Sequence, residues 1–286
     1  MVFVAFAICG LFLASYAGAL HPALDSLAVL RIPLALAVLL LAVARLARQW
    51  WILPPCILAA AFLAYESGGW RLLRPSDAAF SLYQRNLLYR NQETEAVLDE
   101  IWTLAPDVIT FQELSSQNQV LLEQLRELYP NQLRCPYGPR YSIAILTRLP
   151  LGPDPAQCSG SRGAAALQLS VDGTLGWVVA VHLLWPWPFG DPAQPREFAG
   201  FIAALPGPKA VAGDFNQVPW SDAVRRIMGA ADARYLGPRR HTFVTNHIPL
   251  PLPIDHVLAP SGYVTLLPKT GSDHYGLFAE IAFHAN

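Results

Sequence analysis

Six short segments rich in Asn, Asp, Glu and His lie between residues 85 and 276, and their side chains could together bind a metal ion and move protons. The segments read RNLLYRN, VITFQEL, VAVHLL, VAGDFN, PIDHVLA and GSDHYG. Most of them end or follow an apolar run that predicts a buried strand, so a sheet could hold their polar side chains over one pocket. Carboxylate and amide oxygens suit a hard cation such as Mg²⁺, and histidines close to carboxylates suit acid–base chemistry. The segments therefore predict a metal-dependent site that cleaves a phosphoryl group.

The order and intervals of these motifs resemble the endonuclease/exonuclease/phosphatase superfamily, whose members have a deoxyribonuclease-I-like fold. The resemblance covers residues 80–286 and rests on N-x-L-Y-x-N, P-D-V-I-x-x-Q-E, I-L-T-R-x-P-L, a strand ending in His, G-D-F-N, I-D-H-V-L and S-D-H-Y. GDFN or SDH alone would be a weak signal, whereas all the motifs in order are specific. The resemblance implies an α+β fold, a four-layer α/β/β/α two-sheet sandwich.

The resemblance also implies catalytic roles for five residues. His274 and Asp255 would form a His–Asp dyad, in which the carboxylate fixes the imidazole tautomer and the ring acts as a general base or stabilises the phosphorane. Asp214 and Asn216 in GDFN would orient the attacking water and the phosphate. His182 resembles a second family histidine that assists the leaving oxygen or binds phosphate. The bland alternatives are an Asx turn for GDFN and an ordinary surface group for His182.

Asn86, Glu113 and Asp273 are the metal-binding residues that the resemblance implies, with Mg²⁺ (or Mn²⁺) as the cofactor. Asn86 and Asn216 are also expected to contact the substrate phosphate. A turn for Asn86 and an Arg ion pair for Glu113 are the structural alternatives. His256, next to Asp255, should point to the other side of its strand and is predicted to be structural.

In the implied mechanism, Mg²⁺ polarises a phosphoryl oxygen and water activated by Asp214 or His274 attacks in line. Several other classes of enzyme find no support in the sequence. There is no G-x-S-x-G motif for a nucleophilic serine and no P-loop glycine pattern. The cysteine spacing matches no zinc site. A second hypothesis is a catalytically silent membrane-tethered sensor or scaffold, and the intact acidic and histidine motifs argue against it.

The substrate is left open between lipid head groups and extracytoplasmic nucleic acid, because this fold serves many functions. Residues 80–286 carry 15 Lys and Arg against 18 Asp and Glu, a formal net charge of −3, and the whole chain has only two lysines. Duplex nucleic acid is bound mainly through neutralised phosphates, so this domain is not an obvious duplex-binding protein. A phosphoester substrate and a membrane are the expected partners, and no protein partner is predicted.

The loop LLWPWPFGDP directly follows His182 and carries Trp185 and Trp187. Both tryptophans are predicted to bind substrate, either by dipping into a membrane interface or by stacking on a base. Ordinary packing on the rim of the sandwich is an equal alternative.

The start of the chain is unusually apolar. The whole chain is 53% hydrophobic and 14% charged, against the ~25% charged residues of typical soluble domains. Apolar runs at 1–20, 24–44 and 49–65 predict about three transmembrane helices within residues 1–75, followed by a catalytic domain at 76–286. A cleaved signal peptide is disfavoured because the start of the first run contains no Lys or Arg and two further apolar runs follow before any polar domain. Three buried helices of a soluble protein are the other alternative.

Charges around these runs give a weak topology. Arg45 and Arg48 between the second and third runs are expected in the cytoplasm, which places the catalytic domain outside. Arg71, Arg74 and Arg85 oppose this assignment. The sequence thus predicts a multi-pass protein of an inner or plasma membrane with an extracytoplasmic catalytic domain.

The domain cysteines are compatible with that location. Cys135 and Cys158 flank a predicted strand and turn, and a disulfide between them would suit an oxidising compartment. Two unpaired thiols are equally compatible with the sequence.

The elements that must position these residues follow from periodicity and punctuation. Strands are predicted at 80–89, 107–113, 141–147, 163–171, 176–183, 209–213, 254–259 and 276–283. Helices are predicted at 92–106, 115–129, 195–205 and 219–228, with Ser221 as the N-cap of the last.

Overall fold

The computed structural model describes residues 2–43, 50–68, 78–237, 240–245 and 248–284. Residues 2–68 contain helices, and the strands begin at residue 80. The helices of the first part are α1 (Val2–Ala14), α2 (Pro22–Ser26), α3 (Arg31–Val43) and α4 (Leu53–Gly68), with 3₁₀ turns at Leu27–Leu30 and Trp50–Ile52. We call this part the amino-terminal helices.

The prediction of about three membrane spans at 1–20, 24–44 and 49–65 differs from the structure. Within the described residues, only the continuous helix Pro22–Val43, 22 residues long, is both long and apolar enough to cross a bilayer. The first helix ends at Ala14 because residues 15–20 form turns, and 13 residues span only about 20 Å. A hydrocarbon core of ~30 Å requires more, so length and composition leave one candidate span.

Two charged residues within the second apolar run lie against protein. Asp25 is 8% exposed and Arg31 is 2% exposed, and both contact the sandwich domain. The first third of this run therefore docks on the part of the chain that contains the strands.

In the described residues after position 78, two six-stranded mixed sheets form the centre of the structure. The first has the order β13-β14-β1-β2-β4-β3, and the second has the order β5-β6-β7-β8-β12-β9. In the first sheet the strands are β1 (Phe80–Asn86), β2 (Val108–Ser115), β3 (Asn131–Pro136), β4 (Tyr141–Thr147), β13 (Ser261–Leu266) and β14 (Leu277–Ala282). In the second they are β5 (Gln157–Cys158), β6 (Ala164–Val171), β7 (Thr174–His182), β8 (Lys209–Asp214), β9 (Arg234–Tyr235) and β12 (Asp255–Ala259). A separate hairpin pairs β10 (Phe243–Thr245) with β11 (Ile248–Leu252).

Alternation along the strands creates the layers. Leu82 of β1 and Val178 of β7 point into the core between the sheets, whereas their neighbours Tyr83 and Val179 point outward. The outward face of the first sheet is covered by α5 (Thr94–Leu104) and α6 (Val120–Gln124), and that of the second by α7 (Gln194–Ala203) and α8 (Asp222–Ala231). The predicted α/β/β/α two-sheet sandwich is therefore confirmed.

Some predicted elements have other bounds. The helix expected at 115–129 is reduced to α6, because the backbone N–H of Ser115 donates to Asn118 Oδ1 at 2.7 Å and closes a turn there. Ser221 is the N-cap of α8, as predicted, and its hydroxyl accepts from the N–H of Val224.

A disulfide joins Cys135 of β3 to Cys158 of β5, with Cα atoms 5.6 Å apart. These strands are the edges of opposite sheets. The bond therefore closes one side of the sandwich.

Candidate active site

Strand register brings three of the predicted residues into one row. His182 at the end of β7 is paired with Asp214 at the end of β8, and Asp214 is paired with Asp255 at the start of β12. Adjacent strands are less than 5 Å apart, so these side chains must be neighbours at one end of the second sheet.

The first sheet supplies a second row. Asn86 at the end of β1 is paired with Gln112 of β2. The register between β2 and β4 shifts between Phe111 and Leu114, and Glu113 within that bulge has a φ of 57°. Bulges of this kind re-aim side chains beside active sites.

Hydrogen bonds connect the two rows across the open end of the sandwich. Asn86 Nδ2 donates to Asp214 Oδ2 at 3.0 Å. Gln84 Nε2 donates to Asp255 Oδ1 at 3.2 Å and to Gln112 Oε1 at 2.8 Å. The carboxylates of the second sheet are thus fixed by amides of the first.

His274 completes the centre of the site. Its Nδ1 lies 2.8 Å from Asp255 Oδ2 and its Nε2 lies 3.8 Å from Asp214 Oδ2. Burial lowers the pKa of His274, but the charges of Asp255 and Asp214 outweigh burial and raise that pKa to about 10. Burial would raise the pKa of Asp255, whereas the charge and hydrogen bond of His274 hold it below its ordinary value. The pair is therefore an imidazolium bonded to a carboxylate.

The turn that carries His274 is tied to β1. Ser272 Oγ donates to the carbonyl of Asn86 at 2.8 Å and accepts from the N–H of His274 at 3.1 Å. Between them, Asp273 extends a side chain that is 35% exposed, with Oδ1 3.9 Å from His274 Nε2.

Glu113 lies beside this centre. Its carboxylate accepts from Asn86 Nδ2 at 3.4 Å and from the N–H of Tyr89 at 2.9 Å. Burial raises the pKa of Glu113 by more than these hydrogen bonds and the charge of His274 lower it. Among the residues that the structure describes, no Lys or Arg forms an ion pair with Glu113. Two carboxylates and an amide at one opening form a donor set that fits Mg²⁺.

A second set of possible metal ligands overlaps the acid–base centre. Asp214, Asp255 and His274 each offer an atom, all within 4.8 Å of one another. His274 Nδ1 is already engaged with Asp255 Oδ2 at 2.8 Å, the arrangement of an acid–base pair. We therefore assign this set to proton chemistry and retain Asn86, Glu113 and Asp273 as the candidate metal ligands.

His182 has a different environment from His274. It is 3% exposed, its Nε2 lies 3.5 Å from Asp214 Oδ2, and burial lowers its pKa to about 3. The ring of Tyr137 stacks on it with centroids 4.4 Å apart. A Cβ on Gly163 would come within 2.6 Å of that tyrosine ring, so glycine makes room for the stack. His182 is neutral and can donate a hydrogen bond but carries no charge.

The GDFN segment combines its structural and its predicted functional uses. Asp214 Oδ1 accepts from the N–H of Asn216 at 2.8 Å, which is an Asx turn, while Oδ2 faces the site. Asn216 adopts a φ of 47° and donates from Nδ2 to the carbonyl of Leu183 at 2.8 Å. The Asx turn thus aims the second oxygen of Asp214 at the site.

The two predicted substrate-binding tryptophans have separate surroundings. Trp185 packs on Phe243 with centroids 5.7 Å apart, and Phe243 in turn covers the ring of His274 at 4.8 Å. Trp187 instead packs beside His21, with centroids 6.2 Å apart. Trp185 therefore lies at the rim of the site, and Trp187 lies at the junction with the amino-terminal helices.

His256 fulfils its structural prediction. It is fully buried, its ring lies between Phe215 and Tyr235, and Nε2 contacts the carbonyl of Gln217 at 2.7 Å.

Sequence reasoning missed the supporting roles of Gln84, Tyr137, Phe243 and Ser272. Gln84 left a signal, because it lies two residues before Asn86 and thus on the same face of β1, and Ser272 stands within the GSDHYG segment. Tyr137 and Phe243 reach the site through tertiary packing.

A cleft of about 470 Å³ is lined in part by Tyr89, whose N–H donates to Glu113. Tyr89 and Tyr141 line it, with ring centroids 6.2 Å apart. Arg134 and Arg140 add positive charge to its wall. The cleft can accommodate a group larger than a phosphate.

Comparison with known proteins gives a family and a fold. The model of the family described as "Endonuclease/Exonuclease/phosphatase family" matches residues 76–274. No protein of curated function matches the sequence significantly.

Three solved structures illustrate the likeness of the fold. An endonuclease/exonuclease/phosphatase family protein from Leptotrichia buccalis aligns over 72% of this chain and 100% of its own, with a TM-score of 0.57 and 15% identity. A mutant beta toxin from Staphylococcus aureus with bound magnesium ions aligns over 71% and 100%, with a TM-score of 0.55 and 14% identity. A D. rerio TDP2 complexed with single strand DNA product aligns over 71% and 98%, with a TM-score of 0.54 and 17% identity. At such identities the likeness establishes the fold alone.

Proposed function

Because the chain belongs to the endonuclease/exonuclease/phosphatase family, whose members are typically phosphoester hydrolases, we propose that it is a membrane-anchored, Mg²⁺-dependent phosphohydrolase that cleaves a phosphodiester. One observation carries the proposal. His274, Asp255, Asp214, Asn86 and Glu113 form a single buried or half-buried network that joins the two sheets. A purely structural network has no need for this many titratable groups at one opening.

Asn86, Glu113 and Asp273 would hold Mg²⁺ (or Mn²⁺). When bound, the ion polarises a phosphoryl oxygen and offsets charge on the leaving oxygen. The absence of a basic partner for Glu113 among the described residues supports this assignment, as does the magnesium bound to the beta toxin of similar fold.

The protonation states assign the remaining roles. Burial raises the pKa of Asp214, which makes its carboxylate a better base for the attacking water. His274 is already protonated, so it stabilises negative charge on the phosphorane rather than accepting a proton. The neutral His182 donates a hydrogen bond from Nε2 to a phosphoryl or leaving oxygen.

The cleft lined by Tyr89 and Tyr141 supports a substrate with a group beyond the phosphate. The rings of Tyr89 and Tyr141 suit stacking, and Arg134 and Arg140 suit a second anionic group. A lipid head group and a single nucleic-acid strand both meet this description. The net charge of −3 over residues 80–286 disfavours duplex nucleic acid.

Membrane anchoring is supported by the outer faces of the amino-terminal helices. Phe3 is 89% exposed, Leu40 is 68% exposed and Ile57 is 70% exposed. Large apolar side chains this exposed call for a cover, and lipid would supply it. An extracytoplasmic catalytic domain is supported by the bond between Cys135 and Cys158, which suits an oxidising compartment.

Extraction of isolated membranes tests the anchor. We expect the full chain to resist alkaline carbonate and to enter solution only with detergent. We also expect Cys135 and Cys158 to resist alkylation in intact cells unless a reductant is added. Release by carbonate would contradict the anchor, and free thiols in cells would contradict the location.

A substrate panel tests the activity. The full chain in detergent is given a generic phosphodiester, a phosphomonoester, single-stranded DNA and phospholipid vesicles, each with Mg²⁺ or with chelator, and His274→Ala serves as the inactive control. Turnover lost with chelator and in His274→Ala supports the proposal, and the preferred ester identifies the substrate class. A folded chain whose thermal stability ignores Mg²⁺ and which turns over no ester would favour the silent scaffold.

A further inference from the structure

The loop between β8 and α8, residues 215–221, connects the active site to the amino-terminal helices. At its start, Asp214 and Asn216 are fixed within the site by the Asx turn and by the bond from Asn216 to Leu183. At its end, the loop enters α8. Any displacement of the loop therefore reaches two residues of the site.

Asp25 of the amino-terminal helices caps the far end of this loop. Its Oδ1 accepts from the N–H of Asp222 at 2.5 Å, and its Oδ2 accepts from the N–H of Ala223 at 3.1 Å. The hydroxyl of Ser221 accepts the next N–H, that of Val224. The first turn of a helix has no internal partners for these donors, so a carboxylate from 197 residues away completes the cap.

Trp220 holds the middle of the contact. Its Nε1 donates to the carbonyl of Ala28 at 2.7 Å, and its own carbonyl accepts from Arg31 Nη1 at 3.2 Å. Val218 and Trp220 belong to the same buried apolar cluster as Phe12 of α1. Directional bonds and close packing therefore fix the loop at several points.

A second contact reaches the other side of the site. Val29 packs on the cluster formed by Phe243, Leu252 and Ile254 at the β10–β11 hairpin. Phe243 in turn covers the ring of His274. The amino-terminal helices thus support the loops on both sides of the Asp214–His274 pair.

We infer that the amino-terminal helices position the active site, and that Asp25, Arg31 and Trp220 are positioning residues that act through the β8–α8 loop on Asp214 and Asn216. A simple membrane anchor needs only a linker to its domain. Here a buried guanidinium within an apolar segment bonds to the loop that follows Asp214 and contains Asn216. A buried carboxylate of the same segment bonds to the first turn of α8, where that loop ends. Because a displacement of about 1 Å in a reacting group can cost ~100-fold in rate, the contact is expected to control turnover.

The experiment uses the full chain in detergent and three variants. Asp25→Ala removes both acceptors of the helix cap, and Trp220→Phe removes one hydrogen-bond donor while keeping an aromatic ring. The control Ile57→Ala lies on α4 at a side chain that is 70% exposed. For each variant we measure kcat, KM and the backbone hydrogen exchange of residues 214–224. Asp25→Asn, which keeps one acceptor, replaces Asp25→Ala if the latter fails to fold.

We expect Asp25→Ala to lower kcat by roughly tenfold or more with KM within about threefold, because the loop orients groups that act in the transition state. Exchange in residues 214–224 should accelerate by about tenfold. Trp220→Phe should also lower kcat and accelerate exchange, and Ile57→Ala should change neither kcat nor exchange.

Unchanged exchange in both loop variants would overturn the inference, and so would faster exchange with an unchanged kcat. The activity arm rests on the proposed function, whereas the exchange arm needs no turnover. If the wild-type chain hydrolyses no ester in the panel, only the proposed function fails. In that case, faster exchange in Asp25→Ala and Trp220→Phe but not in Ile57→Ala would still support the positioning contact. Exchange equal to that of the wild type in both loop variants would still refute it.

Discussion

At the scale of single residues, Asp255 has the best-defined contacts within the proposed catalytic site. One carboxylate oxygen contacts His274 and the other accepts from Gln84. Asp255→Asn keeps the shape of the side chain but removes the charge that keeps His274 protonated. We expect kcat to fall by roughly 10³- to 10⁴-fold, as for other dyads that lose this carboxylate. Asp172→Asn, at an exposed turn, is the matched control, and equal kcat values in the two variants would contradict the dyad.

Glu113 provides the test of metal binding. Mg²⁺ at about 100 times its Kd should stabilise the folded chain by about 2.7 kcal/mol, which thermal unfolding with and without the ion would detect. Glu113→Gln removes one of the two carboxylates of the candidate site, so most of this gain should disappear. Glu123→Gln makes the same change at an exposed position of α6 and should keep the full gain. An undiminished gain in Glu113→Gln would show that Glu113 does not bind the metal.

The buried His182 predicts how stability depends on pH. Burial lowers its folded pKa to about 3 from an ordinary value of 6.5. Below pH 6.5 the unfolded chain binds a proton at His182 and the folded chain does not, so the free energy of unfolding falls as the pH falls. The slope approaches about 1.4 kcal/mol per pH unit at most. His182→Gln should therefore lose less stability between pH 7 and pH 5 than the wild type, and parallel melting curves would be the contrary result.

The sequence indicated the polar residues that converge at the candidate site but not their supports. Asn86, Glu113, Asp214, Asp255 and His274 lie in motifs at strand ends, where apolar runs mark the strands. Phe243 and Tyr137 cover the two histidines, yet nothing near them in sequence indicates which ring they meet. Such contacts depend on how two sheets and a hairpin pack, which local patterns do not contain.

At the scale of elements, buried strands were predictable and edge strands were not. β1, β4, β7 and β8 are apolar runs near their predicted positions. β3 is largely exposed or half-buried, and β11 reads IPLPL, whose prolines argue against a strand because proline cannot donate to a ladder. Both occur beyond the central strands, where pairing requires fewer donors.

The disulfide between the edge strands predicts a specific loss of stability. It closes a loop with a sequence separation of 23, for which chain entropy gives about 3 kcal/mol. Cys158→Ser should therefore lower the free energy of unfolding by that amount. Cys56→Ser, at an unpaired cysteine of α4, should cost less than about 1 kcal/mol. Denaturant unfolding of the full chain compares them, and equal losses would contradict a structural role for the bond.

At the scale of the whole molecule, the amino-terminal helices and the sandwich behave as one body. A chain shortened to residues 76–286 loses the cap from Asp25 and uncovers Val218 and Trp220. We expect it to melt at a lower temperature than the full chain and to self-associate, which calorimetry and gel filtration would reveal. A shortened chain that is monomeric and equally stable would contradict this view.

Hydropathy predicted the helices but not their attachment. It reports how apolar a run is, and it does not indicate what covers each face. Asp25 and Arg31 were the available signal, since charged residues within an apolar run generally face a specific partner. The length of the first helix depended on turns at residues 15–20, which hydropathy alone does not resolve.

The pairing of β1 with β14 has a consequence for folding during synthesis of the protein. Phe80 pairs with Ile281, and Asp25 caps a helix that begins 197 residues later in the chain. At ~5–20 residues per second on the ribosome, roughly 10–40 s separate the emergence of the helices from that of their folded partner. During that interval the nascent chain has no complete active site, and its apolar helices are uncovered. Lipid can therefore reach these helices before the sandwich does, and the site cannot be complete before His274 and β14 have been synthesised.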